Sequence, residues 1–361
     1  EDRGDTEGGE KQGDKWGGQE REEPVGIEVE GALAAAAAEG LRTVDLGLML
    51  GDTTFRSELL KAAARLEAEA ATSARGGDVH AHVISGSHLA PHAMPRPRPL
   101  SGALPSPPRL RLPSLAFFHN ECMVAARPAV LTHVIEDWPA RSTRPWSDLE
   151  YLKAVAGLRT VPVEFGSHYL DDAFDERLMG FRCFLEDHIE RPPPPAGEPR
   201  GYLAQHQLFE QCPRLRADFL VPDYCLLTLD DDDEEEEEED GEASAKRGVQ
   251  MNAWFGPGGT LSPLHFDRYH NLLAQVVGSK YVRLYSPDQS SSLYPHESGP
   301  HKVSSRIVDP DQADPSEFPR FGAAPYVDLV LGEGEVLYIP PRWWHFVESR
   351  EVSFSISFWW G

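Results

Sequence analysis

Long apolar runs are absent from this 361-residue sequence. The alanine tract Ala32 to Ala38 is far shorter than the roughly 18 apolar residues that a membrane-spanning helix needs. The sequence therefore predicts no helical membrane span, and we expect no membrane partner. The sequence begins at Glu1 rather than Met, so it leaves open whether the natural N-terminus, with any targeting signal, is present.

Cysteine is scarce, and the chain contains only Cys122, Cys183, Cys212 and Cys225. No two of them have the C-x-x-C spacing of a zinc knuckle or a redox-active pair. Four thiols are compatible with disulfides in a secreted protein. We expect free thiols instead.

The chain has no excess of basic residues. Its 34 Lys and Arg are outnumbered by 59 Asp and Glu, which gives a net charge of −25. Eleven of the acidic residues form one uninterrupted run, Asp230 to Asp240. Phosphate backbones are bound by basic surfaces, so we expect no direct binding to nucleic acid. A basic protein partner, such as a histone tail or a ribosomal protein, is electrostatically compatible with the chain.

The composition divides the chain into four parts. With 31 Gly and 31 Pro, much of it is expected to lie outside a packed core. We predict a disordered acidic N-terminus (1–26), a helical N-terminal region (27–75), a Pro/Arg-rich linker (76–112) and a globular domain (113–361) with an acidic loop insert (230–247).

The helical N-terminal region contains a segment, Thr54 to Ala71, whose apolar residues repeat on one face of a helix. Two interpretations are open. The region is either a module that binds a partner or a pair of helices that packs on the globular domain.

The globular domain is predicted to be mainly β with flanking helices. Gly278-Ser279 suits a tight hairpin. The predicted strands are 129–135, 160–164, a segment that begins at Tyr202, 249–255, 271–277, 281–285, 326–331, 335–339 and 352–359. The predicted helices are 146–156, capped by Ser147, 181–190, and one around Leu208.

The last predicted strand has two different faces. Val352, Phe354, Ile356 and Phe358 alternate with three serines, and Trp359 shares the serine face. A bulky face and a small polar face are typical of a strand with a core on one side and a cavity on the other. This pattern favours a double-stranded β-helix, the cupin-like jelly roll.

A metal site is indicated by His265 and Asp267, which leave the same face of an extended strand. With His345 as a distant third ligand they make a set of two histidines and one carboxylate. This set leaves positions open on the metal, as in non-haem Fe(II) oxygenases. His270 points away from His265 by strand parity and is not counted as a ligand.

Several motifs recur in a fixed order around these residues. The chain from about Pro113 to its end resembles the JmjC-domain 2-oxoglutarate oxygenases, in particular their small-hydroxylase branch. The motifs are Gly201-Tyr202-Leu-Ala-Gln205, Asn252-Ala-Trp254-Phe-Gly-Pro, Ser262-Pro-Leu-His265-x-Asp267, Gln275-Val-Val-Gly-x-Lys280-Tyr-x-Arg-Leu-Tyr285, Gly334-Glu-Val-Leu-Tyr-Ile-Pro340, Trp344-His345 and Ser353-Phe-Ser-Ile-Ser-Phe-Trp-Trp360.

The resemblance implies a cosubstrate pocket and a substrate pocket beside the metal. It assigns Fe(II), 2-oxoglutarate and O2 to the site, with Lys280 as the cation for the cosubstrate carboxylate and Tyr202 and Asn271 as its hydrogen-bonding companions. In the arginyl-hydroxylase branch, four matching positions surround the substrate side chain: Glu164, Trp254, Ser262 and Trp359.

Three functions remain open from the sequence. The first is hydroxylation of a protein substrate at arginyl C3, favoured by Glu164, because a carboxylate suits a guanidinium. The second is demethylation of Nε-methyl-lysine on histone tails. The third, of another class, is a catalytically silent cupin-like module that binds basic partners. An Fe(II) site fits a reducing compartment, so we expect the nucleus, the cytoplasm or both.

Overall fold

The computed structural model describes residues 25–51, 55–73, 102–171, 173–191, 200–229, 248–299 and 301–361. The acidic loop insert (230–247) and nearly all of the predicted N-terminal segment (1–26) lie outside these residues. Of the predicted linker, the structure describes residues 102–112, and Arg109–Arg111 forms a short strand.

The N-terminal region forms a helical hairpin of α1 (Val25–Leu50) and α2 (Arg56–Ser73). Leu41 of α1 and Ala63 of α2 are buried, so each helix turns an apolar face inward. Asp45 of α1 forms an ion pair with Arg159 of the C-terminal domain. The hairpin therefore packs on the C-terminal domain. This is one of the two interpretations that the sequence left open.

In the part of the chain that the structure describes, five short helices follow the hairpin. They are α3 (Leu115–Phe118), α4 (Leu149–Ala156), α5 (Phe181–Phe184), α6 (Leu208–Gln211) and α7 (Pro213–Arg216). Single helical turns of π or 3-10 type occupy His119–Val124, Pro139–Arg141, Leu185–Ile189, Asp223–Leu226, Pro287–Ser292 and Phe321–Ala323.

Thirteen strands of the described residues form three sheets. The strands are β1 (Arg109–Arg111), β2 (Ala129–Thr132), β3 (Thr160–Phe165), β4 (Asp175–Gly180), β5 (Leu203–His206), β6 (Gln250–Gly256), β7 (Leu261–Phe266), β8 (His270–Val277), β9 (Lys280–Tyr285), β10 (Val327–Leu331), β11 (Val336–Ile339), β12 (Trp344–Ser349) and β13 (Ser353–Trp360). A seven-stranded sheet has the order β1-β2-β11-β8-β13-β6-β5, a four-stranded sheet the order β10-β9-β12-β7, and β3 pairs with β4.

The two faces of β13 differ as the serine alternation predicts. Phe354 packs on one side in the main core, where its ring lies 4.4 Å from both Trp146 and Phe255. On the other side, Ser357 accepts a hydrogen bond from Trp254 and lines a cavity between the seven-stranded and four-stranded sheets. The double-stranded β-helix of the cupin-like class is thus confirmed as two facing sheets, and no pairing among the described strands closes them into a barrel.

Two local predictions differ from the structure. Ser147 is not the cap of α4, so that prediction was wrong: Asp148 occupies the capping position and its carboxylate accepts hydrogen bonds from the amides of Glu150 and Tyr151. The carboxylate is the better cap because its negative charge also faces the positive end of the helix. Strands β1, β4 and β12 were not predicted.

All four cysteines are free thiols, as expected. Within the described ranges, no helix is both long and apolar enough to cross a bilayer.

Candidate metal centre

Two paired strands carry the histidines of the predicted site. β7 and β12 are antiparallel neighbours, and His265 lies directly opposite His345 in their register. Side chains of directly opposite residues leave the same face of a sheet, which brings these two ring centroids to 4.2 Å. Asp267 follows one residue after β7 ends, and its carbonyl accepts a hydrogen bond of 2.7 Å from the amide of Arg342.

The three side chains converge on one point. Their ligand atoms lie within 4.8 Å of one another, with His345 Nε2 3.5 Å from Asp267 Oδ2 and His265 Nε2 4.0 Å from Asp267 Oδ1. Two atoms that each lie about 2.1 Å from one ion are at most about 4.2 Å apart, so these two spacings admit a single metal.

Both imidazoles are oriented by backbone carbonyls. His265 Nδ1 lies 2.6 Å from the carbonyl of Pro263, and His345 Nδ1 lies 2.9 Å from that of Trp343. A ring that donates from Nδ1 presents the lone pair of Nε2, and this arrangement is usual for metal-bound histidine. Burial, with His265 nearby, lowers the pKa of His345 to about 4, so the ring is in its neutral, metal-binding form near pH 7.

The cavity between the sheets extends from the metal centre to a buried lysine. Lys280, the first residue of β9, is 2% exposed, and its Nζ donates a hydrogen bond of 3.1 Å to the Tyr202 hydroxyl. Burial lowers the pKa of this ammonium to about 7. Asn271 lines the same cavity, and its buried Oδ1 has no hydrogen-bond donor among the described residues. A buried cation and an unsatisfied amide fit a small polar ligand that carries a carboxylate.

Of the four predicted substrate-side residues, two line this cavity. Trp254 and Ser262 do so, and Trp254 Nε1 donates to the Ser357 hydroxyl over 2.9 Å. Trp359 is outside the described lining, although it is 8% exposed and its Nε1 lacks an acceptor among the described residues. Its ring stacks on that of Tyr269 at 5.9 Å.

Glu164 lies in β3 and also falls outside the described lining of the cavity. Its amide and carbonyl exchange hydrogen bonds of 2.8 and 2.9 Å with the backbone of Tyr202. Burial, and then the cross-strand neighbour Glu176, raise the pKa of the Glu164 carboxyl to about 7. The carboxyl therefore titrates near neutral pH beside the residue that contacts Lys280.

Sequence reasoning missed Tyr169. Its hydroxyl lies 3.0 Å from that of Ser304, and its ring stands perpendicular to the His265 ring at 6.4 Å. Burial raises its pKa to about 12, with Asp267 and Glu164 adding to the effect. Tyr169 lies in the loop after β3, where no periodicity marks a residue as inward-facing. The only feature of the sequence that could have indicated a place near the site is its position five residues after Glu164.

The profile of the family described as a cupin-like domain matches residues 114–361. Over 250 residues the chain is 44% identical to JmjC domain-containing protein D of Dictyostelium discoideum, covering 68% of this chain and 54% of that protein. It is 45% identical over 253 residues to lysine-specific demethylase 8 of Xenopus tropicalis, covering 70% and 52%. The chain belongs to the cupin-like JmjC family. A third JmjC relative, lysine-specific demethylase JMJ30 of Arabidopsis thaliana, is 37% identical over 345 residues, covering 91% of this chain and 76% of its own length.

The chain spans little more than half the length of the first two relatives, and the family match begins beyond α1 and α2. Members of the JmjC family generally use Fe(II) and 2-oxoglutarate. The clustered ligand atoms and the buried Lys280 fit those two groups.

Proposed function

We propose that this chain is an Fe(II)- and 2-oxoglutarate-dependent protein hydroxylase that acts on arginyl C3. The observation that carries the proposal is the single cavity that the cluster His265, Asp267 and His345 lines together with a buried lysine, Lys280. A site for a metal alone has no need of a buried ammonium, which burial makes costly.

In the proposal, His265, Asp267 and His345 hold Fe(II), and Lys280, Tyr202 and Asn271 hold 2-oxoglutarate. When bound, iron and 2-oxoglutarate together reduce O2, so that one oxygen atom enters a C–H bond of the substrate and the other enters the succinate formed with CO2. Lys280 pairs with the distal carboxylate of the cosubstrate. The Tyr202 hydroxyl, 3.1 Å from Lys280 Nζ, holds the ammonium in place.

The protein substrate is proposed to present an arginine. Glu164 accepts the guanidinium, and Trp254, Ser262 and Trp359 surround the side chain. A carboxylate binds a guanidinium through two parallel hydrogen bonds, and aromatic faces attract its charge. A basic substrate such as a histone or ribosomal protein also suits the charge of −25. The proposal includes a nuclear or cytoplasmic location, to be tested by microscopy of the tagged chain.

Nε-Methyl-lysine demethylation is the second candidate, and it uses the same metal and cosubstrate. It is favoured by the names of the Xenopus tropicalis and Arabidopsis thaliana relatives, both called lysine-specific demethylases. The two candidates differ in the reacting group. An N-methyl carbon that is hydroxylated leaves as formaldehyde, whereas a hydroxylated arginyl C3 is retained.

The test is mass spectrometry of the full chain loaded with Fe(II) without oxygen, then given 2-oxoglutarate and O2 with two peptide libraries, one rich in arginine and one of methyl-lysine histone sequences. A gain of one oxygen atom on arginine, with succinate formed in equal amount, is the expected result. Loss of methyl groups with formaldehyde establishes the demethylase instead.

Two variants make the test specific. His265→Ala is expected to abolish product, and His301→Ala, which changes an exposed histidine near the site, is the matched control and keeps activity. If the unmodified chain forms no succinate and retains no iron, the oxygenase proposal is wrong. The silent binding module, recognised by basic peptides that bind without turnover, then takes its place.

A further inference from the structure

The helical hairpin contacts the C-terminal domain through a buried charge cluster. Asp45 of α1 is fully buried and Arg159, which precedes β3, is 1% exposed. Arg159 Nη2 donates to Asp45 Oδ1 over 2.5 Å, and Nη1 donates to Glu67 of α2 over 2.9 Å. Each helix of the hairpin therefore supplies one carboxylate to the same guanidinium.

Asp45 also holds the backbone where β3 begins. Its second oxygen, Oδ2, accepts the amide hydrogen of Thr160 over 2.7 Å. The carbonyl of Thr160 accepts a hydrogen bond of 2.7 Å from Gln211 Nε2, and Gln211 is held in turn by His206. Two side chains thus replace the neighbouring strand that a backbone at this position otherwise requires.

The edge of β3 that faces away from β4 has few such anchors. The backbone N–H and C=O groups of successive strand residues point to alternate edges of the strand. The backbone groups of Thr160, Pro162 and Glu164 therefore face the same edge, the one away from β4. Pro162 has no amide hydrogen. Glu164 is bonded to the Tyr202 backbone at 2.8 and 2.9 Å. This edge is therefore fixed at Thr160 by Asp45 and Gln211, and at Glu164 by Tyr202.

We propose that Asp45 is a positioning residue for the substrate side of the site: it fixes the start of β3 and so the placement of Glu164, about 13 Å further along the strand. This inference rests on the proposed function for the role of Glu164. It makes the helical hairpin, which lies outside the family match at 114–361, part of the machinery that selects the substrate.

The test compares three variants of the full chain. Asp45→Leu combined with Arg159→Met removes both charges at similar volume and deletes the acceptor for the Thr160 amide. Such apolar replacements of a buried ion pair generally leave the fold intact. Asp45→Asn keeps an oxygen for Thr160. Glu210→Gln breaks the pair between Arg56 and Glu210, which also joins the hairpin to the domain but does not touch β3.

Hydrogen exchange followed by mass spectrometry measures how well the backbone amides of β3 are protected, and it does not depend on catalytic activity. The double variant is expected to exchange the amides of residues 160–165 faster, whereas Asp45→Asn and Glu210→Gln retain protection. In peptide turnover, the double variant is expected to raise KM for the arginyl peptide about tenfold. Its kcat and its KM for 2-oxoglutarate are expected to stay within about twofold of the unmodified chain, because the metal ligands and Lys280 lie on other strands.

Unchanged exchange across β3 in a folded double variant overturns the inference, as does an equal rise in KM for peptide and cosubstrate. If the double variant does not fold, Asp45→Ala takes its place, with the same expected exchange and the same criteria. If the unmodified chain turns over no arginyl peptide, the proposed function fails. The exchange data still decide whether Asp45 positions β3.

Discussion

The Lys280 ammonium nitrogen lies 3.1 Å from the Tyr202 hydroxyl oxygen, and both side chains are buried between strands. A phenol is a neutral partner, so it satisfies one hydrogen bond of the ammonium without balancing its charge. Burial therefore lowers the pKa of Lys280 to about 7. The pair is set up to receive a carboxylate, which supplies the missing charge.

The first prediction concerns protons taken up with 2-oxoglutarate. At pH 8, above its pKa of about 7, Lys280 is mostly neutral in the free protein. A bound carboxylate raises that pKa, so binding at pH 8 is expected to take up nearly one proton, and binding at pH 6 almost none. Titration calorimetry of the metal-loaded protein without O2, in two buffers of different ionisation enthalpy, measures the uptake. Equal heats in both buffers at pH 8 contradict the prediction, and Lys280→Met is expected to lose the uptake together with affinity.

Removal of a metal ligand is the second prediction. Asp267→Ala is expected to abolish tight Co(II) binding, because it deletes the anionic member of the three-residue cluster. Absorption of Co(II) in the visible range follows binding directly and needs no turnover. Asp288→Ala, a change at an exposed carboxylate outside the cluster, is expected to bind Co(II) as the unmodified chain does. Co(II) spectra that are the same in both variants exclude Asp267 as a ligand.

A third prediction follows from the carboxyl pair on β3 and β4. Glu164 has a pKa raised to about 7, so it is neutral below that pH and charged above it. Only the charged form pairs with a guanidinium, and KM for an arginyl peptide at saturating cosubstrate is expected to fall as pH rises from 6 to 8. Glu176→Gln removes a neighbouring negative charge and is expected to move this profile to lower pH. Glu164→Gln is expected to flatten it and raise KM about 10- to 100-fold. If neither Glu176→Gln nor Glu164→Gln alters the dependence of KM on pH, Glu164 does not bind the substrate.

The fourth prediction concerns stability. Asp218 is fully buried, and its Oδ2 accepts hydrogen bonds from Trp146 Nε1 at 3.1 Å and from the Tyr151 hydroxyl at 2.6 Å. Asp218→Ala leaves both donors without a partner and is expected to lower the free energy of unfolding by about 3 kcal/mol. Urea denaturation measures this change. Asp309→Ala, which alters a loop carboxylate, is the comparison, and an equal loss in both variants contradicts the account.

The parts of the site that could be predicted are those whose residues lie close together in the sequence. His265 and Asp267 are two residues apart on an extended segment, and Lys280 directly follows a hairpin turn, so parity and turn chemistry place them. His345 was paired with them from its motif, because its 80-residue separation from His265 leaves no periodic signal. The roles assigned to these residues and to Glu164, Trp254, Ser262 and Trp359 stay predictions.

What the sequence did not predict depends on contacts between distant segments. The pair of Asp45 and Arg159 joins residues 114 apart, and neither position differs locally from a solvated surface charge. β12 follows Pro340-Pro341, which pattern reasoning treats as a turn, and its strand conformation comes from pairing with β7 and β9 on either side. Tyr169 contacts Ser304, a residue 135 positions away, and no local pattern predicts that contact.

His265 and His345 face each other because β7 and β12 are paired in one register. Backbone hydrogen bonds between two strands therefore set the spacing of the imidazoles before any ion arrives. Small domains built around zinc behave in the opposite way, since the ion there supplies the free energy of folding. For the proposed metal centre we therefore expect iron loading and chain folding to be separable events, so that a chain stripped of its metal can be reloaded without being refolded.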